Sequence, residues 1–449
     1  MRRPMVLALA ILVLGACAGE PGSPGGLSMP TPMEYEQETL DNGLRIITLE
    51  DHSTPIVHVE LWYHVGSKDE QAGRTGFAHL FEHLMFQGSA NVAPEEHGRI
   101  ISRAGGFSNA YTTDDVTVYF ETVPANYLET VLWLEADRMR SLDVSDENFL
   151  SEREVVKEER RVRFENPPYG DVMETLFRNA FDAHPYRHTP IGSMEDLDAA
   201  RVEEVREFWE TYYVPSNATL IVAGDFDPEQ ARAWAEQYFG DIPGASAPVP
   251  RVGIREPERN EERRVSVEKA VPLPAYVAGY FIPEDGHPDS YPLMVASMIL
   301  AEGRSSRLYQ SLVYETQLAL EADSGASVRE HPNLFFAILI MNQGATIEDG
   351  EAAMEAEFRR MMEEPVSDAE LEKARNQLRS SYILGRQSVE DKASALGHAA
   401  VIHQDVSTAD GELDLLLAVT REDIMRVVEQ YLQPENRTVV TVQPLGGTP

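Results

Sequence analysis

His79-Leu-Phe-Glu82-His83 is the segment whose residue types and spacing are best suited to bind a metal ion and use it. On a helix, residues four apart lie about 40° from each other, so His79 and His83 face the same way, one turn apart. Two imidazoles so placed can both ligate one Zn2+ at roughly 2.0–2.1 Å. Glu82 falls about 60° round from His79, close enough to reach a water at the metal without being a ligand. The chemistry open to such a set is hydrolysis. The cation brings the pKa of a water to about 7, and the carboxylate takes its proton.

A catalytic zinc needs a third protein ligand and an open position. The helical pattern from Glu147 to Glu165, stopped by Asn166-Pro167-Pro168, offers Glu152, Glu154, Glu158 and Glu159. Glu152 and Glu159 are seven apart and share a face, about 10.5 Å from each other along the axis. That separation suits one as ligand and the other as hydrogen-bond partner of a histidine nitrogen. Spacing alone does not choose between them.

Several elements must position these groups. Gly76 and Gly88 bracket the His-Glu-His segment, and Leu80, Phe81, Leu84 and Phe86 give its helix, Thr75 to Phe86, an apolar face. Leu44–Leu49, Ile56–Tyr63, Val116–Phe120 and Thr219–Ala223 read as strands, and Ala125–Arg140 as an amphipathic helix. Strands and helices intermingle, so the class is mixed. Gly244 to Arg264 is rich in Pro, Gly and charge, which is linker composition, and a strand restarts near Ala275–Phe281. The halves echo each other. Pro215-Ser-Asn217-Ala-Thr219 and Pro434-Glu-Asn436-Arg-Thr438 each follow a helix and open an apolar strand, 219 residues apart.

Other text around the motif carries a resemblance. Gly76-Phe-Ala-His79-Leu-Phe-Glu82-His83-Leu-Met-Phe-Gln-Gly88, Gly105-Gly-x-x-Asn109-Ala110-x-Thr112 and Glu152-Arg-Glu-Val-Val-Lys-Glu-Glu159 closely resemble the pitrilysin-type zinc metallopeptidases, whose metal motif is the inverzincin one. The likeness runs over nearly all of the chain beyond its N-terminal segment and is strongest toward bacterial relatives of the mitochondrial processing peptidases. It implies an α+β fold of two related domains, each a mixed, mainly antiparallel sheet with helices packed on one face, forming a clamshell. By carry-over His79, His83 and Glu159 hold one Zn2+ per chain, Glu82 is the catalytic base, and Glu152 backs a histidine. Asn109 and Ala110 fall on an edge strand where substrate backbone adds as a further strand. The activity implied is endopeptidase cleavage of peptides or unfolded polypeptides. The domains expected are 36–245, bearing the metal, and 262–445, without it, joined by a linker at 246–261.

One departure stands out. Many relatives carry an Arg and, seven residues on, a Tyr that contact substrate from the second domain; here the aligned residues are Val313 and Leu320. Neither can hydrogen-bond a carbonyl or a developing oxyanion. Arg307 and Tyr309 are nearby at the wrong spacing and read as structural. A related subunit supplying the missing pair is the expected partner, with a homodimer as the other possibility. A catalytically silent peptide-binding or scaffold lipoprotein of the same fold, or a chaperone enclosing unfolded chains, is the competing reading. His184 and His188 are separated by Pro185 and read as loop; His58, His64 and His287 have no ligand company in the sequence.

The chain of 449 residues carries 75 acidic against 38 basic residues, a net charge of −37. Such a field repels nucleic acid and anionic membrane. Arg2, Arg3 and the apolar run Met5–Leu14 fit an export signal over residues 1–16. Leu14-Gly15-Ala16-Cys17 resembles a bacterial lipobox, with the only cysteine as the lipidated residue and Ala18 favouring the outer membrane. A Gly/Pro/Ser-rich tether is expected at 17–35. The expected location is the bacterial envelope, facing the periplasm.

Overall fold

Each half of the chain is built on one sheet whose central strands are buried on both faces. In a computed structural model of the protein, which describes residue 29 and residues 31–446, the first sheet runs β1 (Glu36–Thr39), β2 (Arg45–Glu50), β6 (Ala218–Gly224), β3 (Ile56–Tyr63), β5 (Thr117–Pro124), β4 (Phe107–Thr112). The second runs β7 (Arg263–Lys269), β11 (Arg437–Pro444), β8 (Ala275–Ile282), β10 (Asn333–Met341), β9 (Ala319–Ala326). β2–β6 and β7–β11 pair parallel, and all other neighbours pair antiparallel. Without β1 the two sheets have the same topology, so β4 and β9 are equivalent edge strands. The expected export signal over residues 1–16 and Cys17 lie outside the described residues.

The duplicated Pro-x-Asn-x-Thr does the same work twice. Asn217 Nδ2 donates to Tyr212 O at 2.8 Å and His64 O at 3.3 Å. Asn436 Nδ2 donates to Tyr431 O and Phe281 O, both at 2.8 Å. Each amide thus ties the end of a helix to the end of the neighbouring strand before the chain enters β6 or β11.

Helices follow in chain order. The first half contributes α1 (Phe77–Leu84), α2 (Glu96–Arg103), α3 (Leu128–Ser141), α4 (Asp146–Arg160), α5 (Val172–Ala180), α6 (Met194–Ala199), α7 (Val202–Tyr212) and α8 (Pro228–Phe239). The second contributes α9 (Ser290–Ala301), α10 (Ile347–Glu363), α11 (Asp368–Leu384), α12 (Val389–Val401), α13 (Thr408–Ala418) and α14 (Arg421–Tyr431). The helix expected over Glu147–Glu165 keeps α geometry to Arg160 and continues as a π-helical turn over Arg161–Glu165.

The strand pattern explains the layers. On β3, Val57, Val59, Leu61 and Tyr63 face the first core with α1, α3 and α7, while Trp62 points the other way. One face of each sheet carries its own helices, as expected, and the structure adds a cover on the other face from the opposite half. Ala393, Leu396 and Ala400 of α12 pack on Ile47, Trp62, Val118 and Ile221 of the first sheet. Val172, Leu176 and Phe177 of α5 pack on Val277, Leu334 and Val440 of the second. The continuous burial of β6 follows, since both its faces are covered. The end of the expected tether is also anchored: Met33 N donates to Asp410 Oδ2 at 2.9 Å, and Met33 and Tyr35 pack beside α12. The stretch 246–261 has no helix or strand, but Arg251 donates to His64 O at 2.7 Å and Arg259 to Thr438 Oγ1 at 2.7 Å, pinning it to both halves.

Close approach of α12 to the first sheet requires Gly397, where a Cβ would sit 2.2 Å from the Trp62 ring. Gly397→Ala is expected to destabilise the protein. Overpacking costs about 1–3 kcal/mol, against about 1 kcal/mol gained in helix propensity. A urea midpoint at or above that of the parent would contradict this packing.

Candidate metal centre

α1 is fixed at its N-terminus. It starts at Gly76, whose φ of 95° places a hypothetical Cβ 3.0 Å from Ile191 O, so only glycine suits this turn. Just before it, Glu70 accepts hydrogen bonds from Gly76 N at 2.9 Å and Ala78 N at 2.8 Å, putting an acid at the helix N-terminus. Burial raises the Glu70 pKa well above the usual range, while those two N–H groups pull it down. Leu80, Phe81 and Leu84 are fully buried on one side, which turns His79 and His83 to the other.

α4 supplies the opposing face. Ser145 caps it, accepting from Asn148 N at 3.3 Å. Phe149, Glu152, Val156 and Glu159 recur at three- and four-residue steps along one stripe, which α1 packs against. Phe149 and Val156 are buried. Two acids therefore stand where a purely structural helix would carry apolar residues.

The sequence-derived ligands converge. One donor atom each from His79, His83 and Glu159 lies within 4.8 Å of the other two. Glu159 Oε2 is 3.6 Å from His79 Nε2 and 3.3 Å from His83 Nε2. A tetrahedron of donors about 2.0–2.2 Å from its centre has edges of about 3.3–3.6 Å, so the set fits a zinc-sized cation. The other oxygen, Oε1, pairs with Arg163 at 2.7 Å. His83 Nδ1 lies 3.3 Å from Glu152 Oε2, and Glu152 Oε1 accepts from Gln87 Nε2 at 2.9 Å. That is the outer carboxylate a ligating imidazole uses to fix its tautomer. His79 Nδ1 is buried and has no hydrogen-bond partner.

Electrostatics suit a cation. Burial, then the neighbouring His83 and Arg163, depress the His79 pKa to about 3, so its ring is neutral at ordinary pH and has a lone pair for a metal. For His83, burial works against protonation, but the Glu152 bond and the charges of Glu82, Glu159 and Glu152 outweigh it and raise its pKa. Glu82 stands outside the ligand set and accepts from Thr112 Oγ1 at 2.7 Å. Burial raises the Glu82 pKa, with Thr112 opposing the shift. Nothing in the sequence marks Glu70 or the Thr112–Glu82 contact, although Thr112 belongs to the Gly105–Thr112 pattern.

Asn109 and Ala110 lie on β4, the outer strand of its sheet, opposite Phe120 and Tyr119 of β5. Val313 is half-buried in a π-helical segment, Tyr309–Glu315, against the second core, and Leu320 is exposed on β9. Arg307 donates to Glu370 at 2.7 Å and 3.2 Å, a local pair between segments of the second half. His184 is buried rather than solvated and caps the turn Pro185–Arg187. Another cluster, His97, Glu121 and Glu135, is filled by the Arg138 guanidinium, which bonds Glu135 and stacks 4.4 Å from the Tyr119 ring centre.

Residues 45–192 match Insulinase (Peptidase family M16), and residues 199–378 match the Peptidase M16 inactive domain. The zinc protease PqqE of Helicobacter pylori is 30% identical over 414 residues, covering 92% of this chain and 93% of that one. The uncharacterized zinc protease YmxG of Bacillus subtilis is 24% identical, covering 92% and 98%. A crystal structure of a protease from Helicobacter pylori superposes with a TM-score of 0.88 at 30% identity, covering 92% of this chain and all of the other.

Removing the outer carboxylate tests how the imidazoles are held. Glu152→Ala is expected to weaken zinc affinity about 10–100-fold with the fold intact. The check is competition with a chromophoric chelator; unchanged affinity would remove Glu152 from the site.

Proposed function

This chain belongs to peptidase family M16, and on that premise we propose that it is a zinc-dependent endopeptidase with His79, His83 and Glu159 as metal ligands and Glu82 as general base. The observation that carries this reading is the meeting of three donors from α1 and α4 at zinc spacing, beside a carboxylate tied to the edge strand. Bound there, a zinc ion supplies Lewis acidity, polarising a carbonyl and bringing a water's pKa to about 7. Glu82 accepts the proton of the attacking water and passes it to the leaving amine. Its raised pKa suits both halves of that exchange. Thr112 holds Glu82 by one oxygen, and Glu152 orients the His83 ring through Nδ1.

Substrate backbone adds along the outer edge of β4, the strand that carries Asn109 and Ala110, where every second residue turns its N–H and C=O away from β5. Thr112 closes the same strand, so a peptide laid there runs toward Glu82. Recognition through backbone favours unfolded segments over particular side chains. Val313 and Leu320 leave this chain without polar groups at two positions facing substrate in relatives, which favours a related second subunit supplying them. The leader and Cys17 support export as a lipid-anchored envelope protein.

Glu82→Gln is expected to keep zinc and lose turnover by about 10^2–10^4-fold on a quenched unfolded peptide. A chelator should abolish cleavage, and zinc should restore it. Cleavage by Glu82→Gln at the parent rate would refute the base, and a parent chain inert with zinc, alone and with a related subunit, would favour the peptide-binding scaffold.

A further inference from the structure

A second group of metal-ligating side chains lies in the other half. His398 sits on α12, His403 just beyond its end, and Asp285 in the turn between β8 and α9. His398 Nε2 and His403 Nε2 stand 3.0 Å and 3.1 Å from the same oxygen, Asp285 Oδ2. Asp285 Oδ1 is occupied separately, accepting from Gly286 N at 2.8 Å. All three ligand atoms lie within 4.8 Å of one another, and the imidazoles are turned 76° apart. Donors about 2.1 Å from a first-row divalent ion in octahedral array have edges of about 3.0 Å, and two histidines with one carboxylate are a common facial set.

His403 Nδ1 is engaged with Thr408 Oγ1 at 2.9 Å, which leaves Nε2 to face Asp285. That Nε2 is buried, and its 3.1 Å approach to the carboxylate is not aligned as a hydrogen bond, so a cation held between the two would satisfy both. Glu412 lines the cavity of about 350 Å3 next to both rings and adds to the negative field. Burial opposes ionisation of Asp285, but the imidazoles hold its pKa below the usual range.

We propose that Asp285, His398 and His403 form a second site for a first-row divalent metal ion, separate from the centre between α1 and α4. Its role is structural. α12 covers the first sheet, whereas the Asp285 turn leaves the second, so an ion here fastens the two halves together.

The test uses the full chain, stripped with chelator, reloaded with Zn2+ and desalted, with zinc per chain measured by mass spectrometry. The parent should hold two equivalents, and His79→Ala/His83→Ala, His398→Ala/His403→Ala and Asp285→Asn one each. Zinc should raise the unfolding midpoint of His79→Ala/His83→Ala, and adding Asp285→Asn to that chain should abolish the rise. Asp285→Asn keeps the side-chain volume, so its reading stands even if the double histidine variant does not fold. Zinc in Asp285→Asn equal to the parent, or none in His79→Ala/His83→Ala, would overturn the second site. Failure of the α1–α4 reading shows differently, as undiminished zinc in His79→Ala/His83→Ala.

Discussion

An eight-residue helix has no stable shape of its own in water, so the placing of His79 and His83 depends on burial of the opposite side of α1. Phe81 lies 4.5 Å from the Tyr213 ring and 6.4 Å from Phe208, between α7 and the sheet. Leu80 and Leu84 are fully buried beside it. With that face fixed, Gly76 sets the entry angle and Glu70 satisfies the first N–H groups. The imidazoles have one direction left, toward α4. The centre is thus a by-product of core packing, and its precision is that of the core.

Crowding acids beside two imidazoles is costly unless each carboxylate is separately satisfied. The chain solves this by dividing the work of the oxygens. Glu159 gives Oε1 to Arg163 and Oε2 to the histidines. Glu152 gives Oε1 to Gln87 and Oε2 to His83. Glu82 is held through one oxygen by Thr112. Each outer bond fixes a side chain without using the oxygen that faces inward, so little reorganisation remains when a cation arrives.

Much of this was legible in the sequence because it is local. His79-x-x-Glu82-His83 defines its own face, the strand at Ile56–Tyr63 falls where its alternation puts it, and Pro-x-Asn-x-Thr marks a duplication that the Asn217 and Asn436 bonds explain. The stripe Phe149, Glu152, Val156, Glu159 held a further signal, since acids in an otherwise apolar register need a reason. Features made by tertiary contact were not legible. Glu70 reads as a loop acid until its burial is seen. Asp285 and His398 are 113 residues apart in chain and meet only because α12 crosses to the first sheet. Nothing in the amphipathicity of α5 or α12 says which sheet each will cover.

That exchange of helices bears on how a peptide could be enclosed. The two sheets share one topology yet differ in chemistry: α1 after β3 carries the His-x-x-Glu-His motif, while α9 after β8 is almost wholly apolar, so the shared fold does not by itself distinguish the halves. A hinge between the halves would strip α5 from the second sheet and α12 from the first, exposing two apolar clusters. It would also break His64–Glu330 at 2.7 Å and the Lys68–Glu330 pair, which are mostly buried. Opening at the linker is therefore opposed by packing and by ion pairs together. A surface facing the outer edge of β4 would then have to come from something other than a swing of the second half, which agrees with the second subunit proposed from Val313 and Leu320.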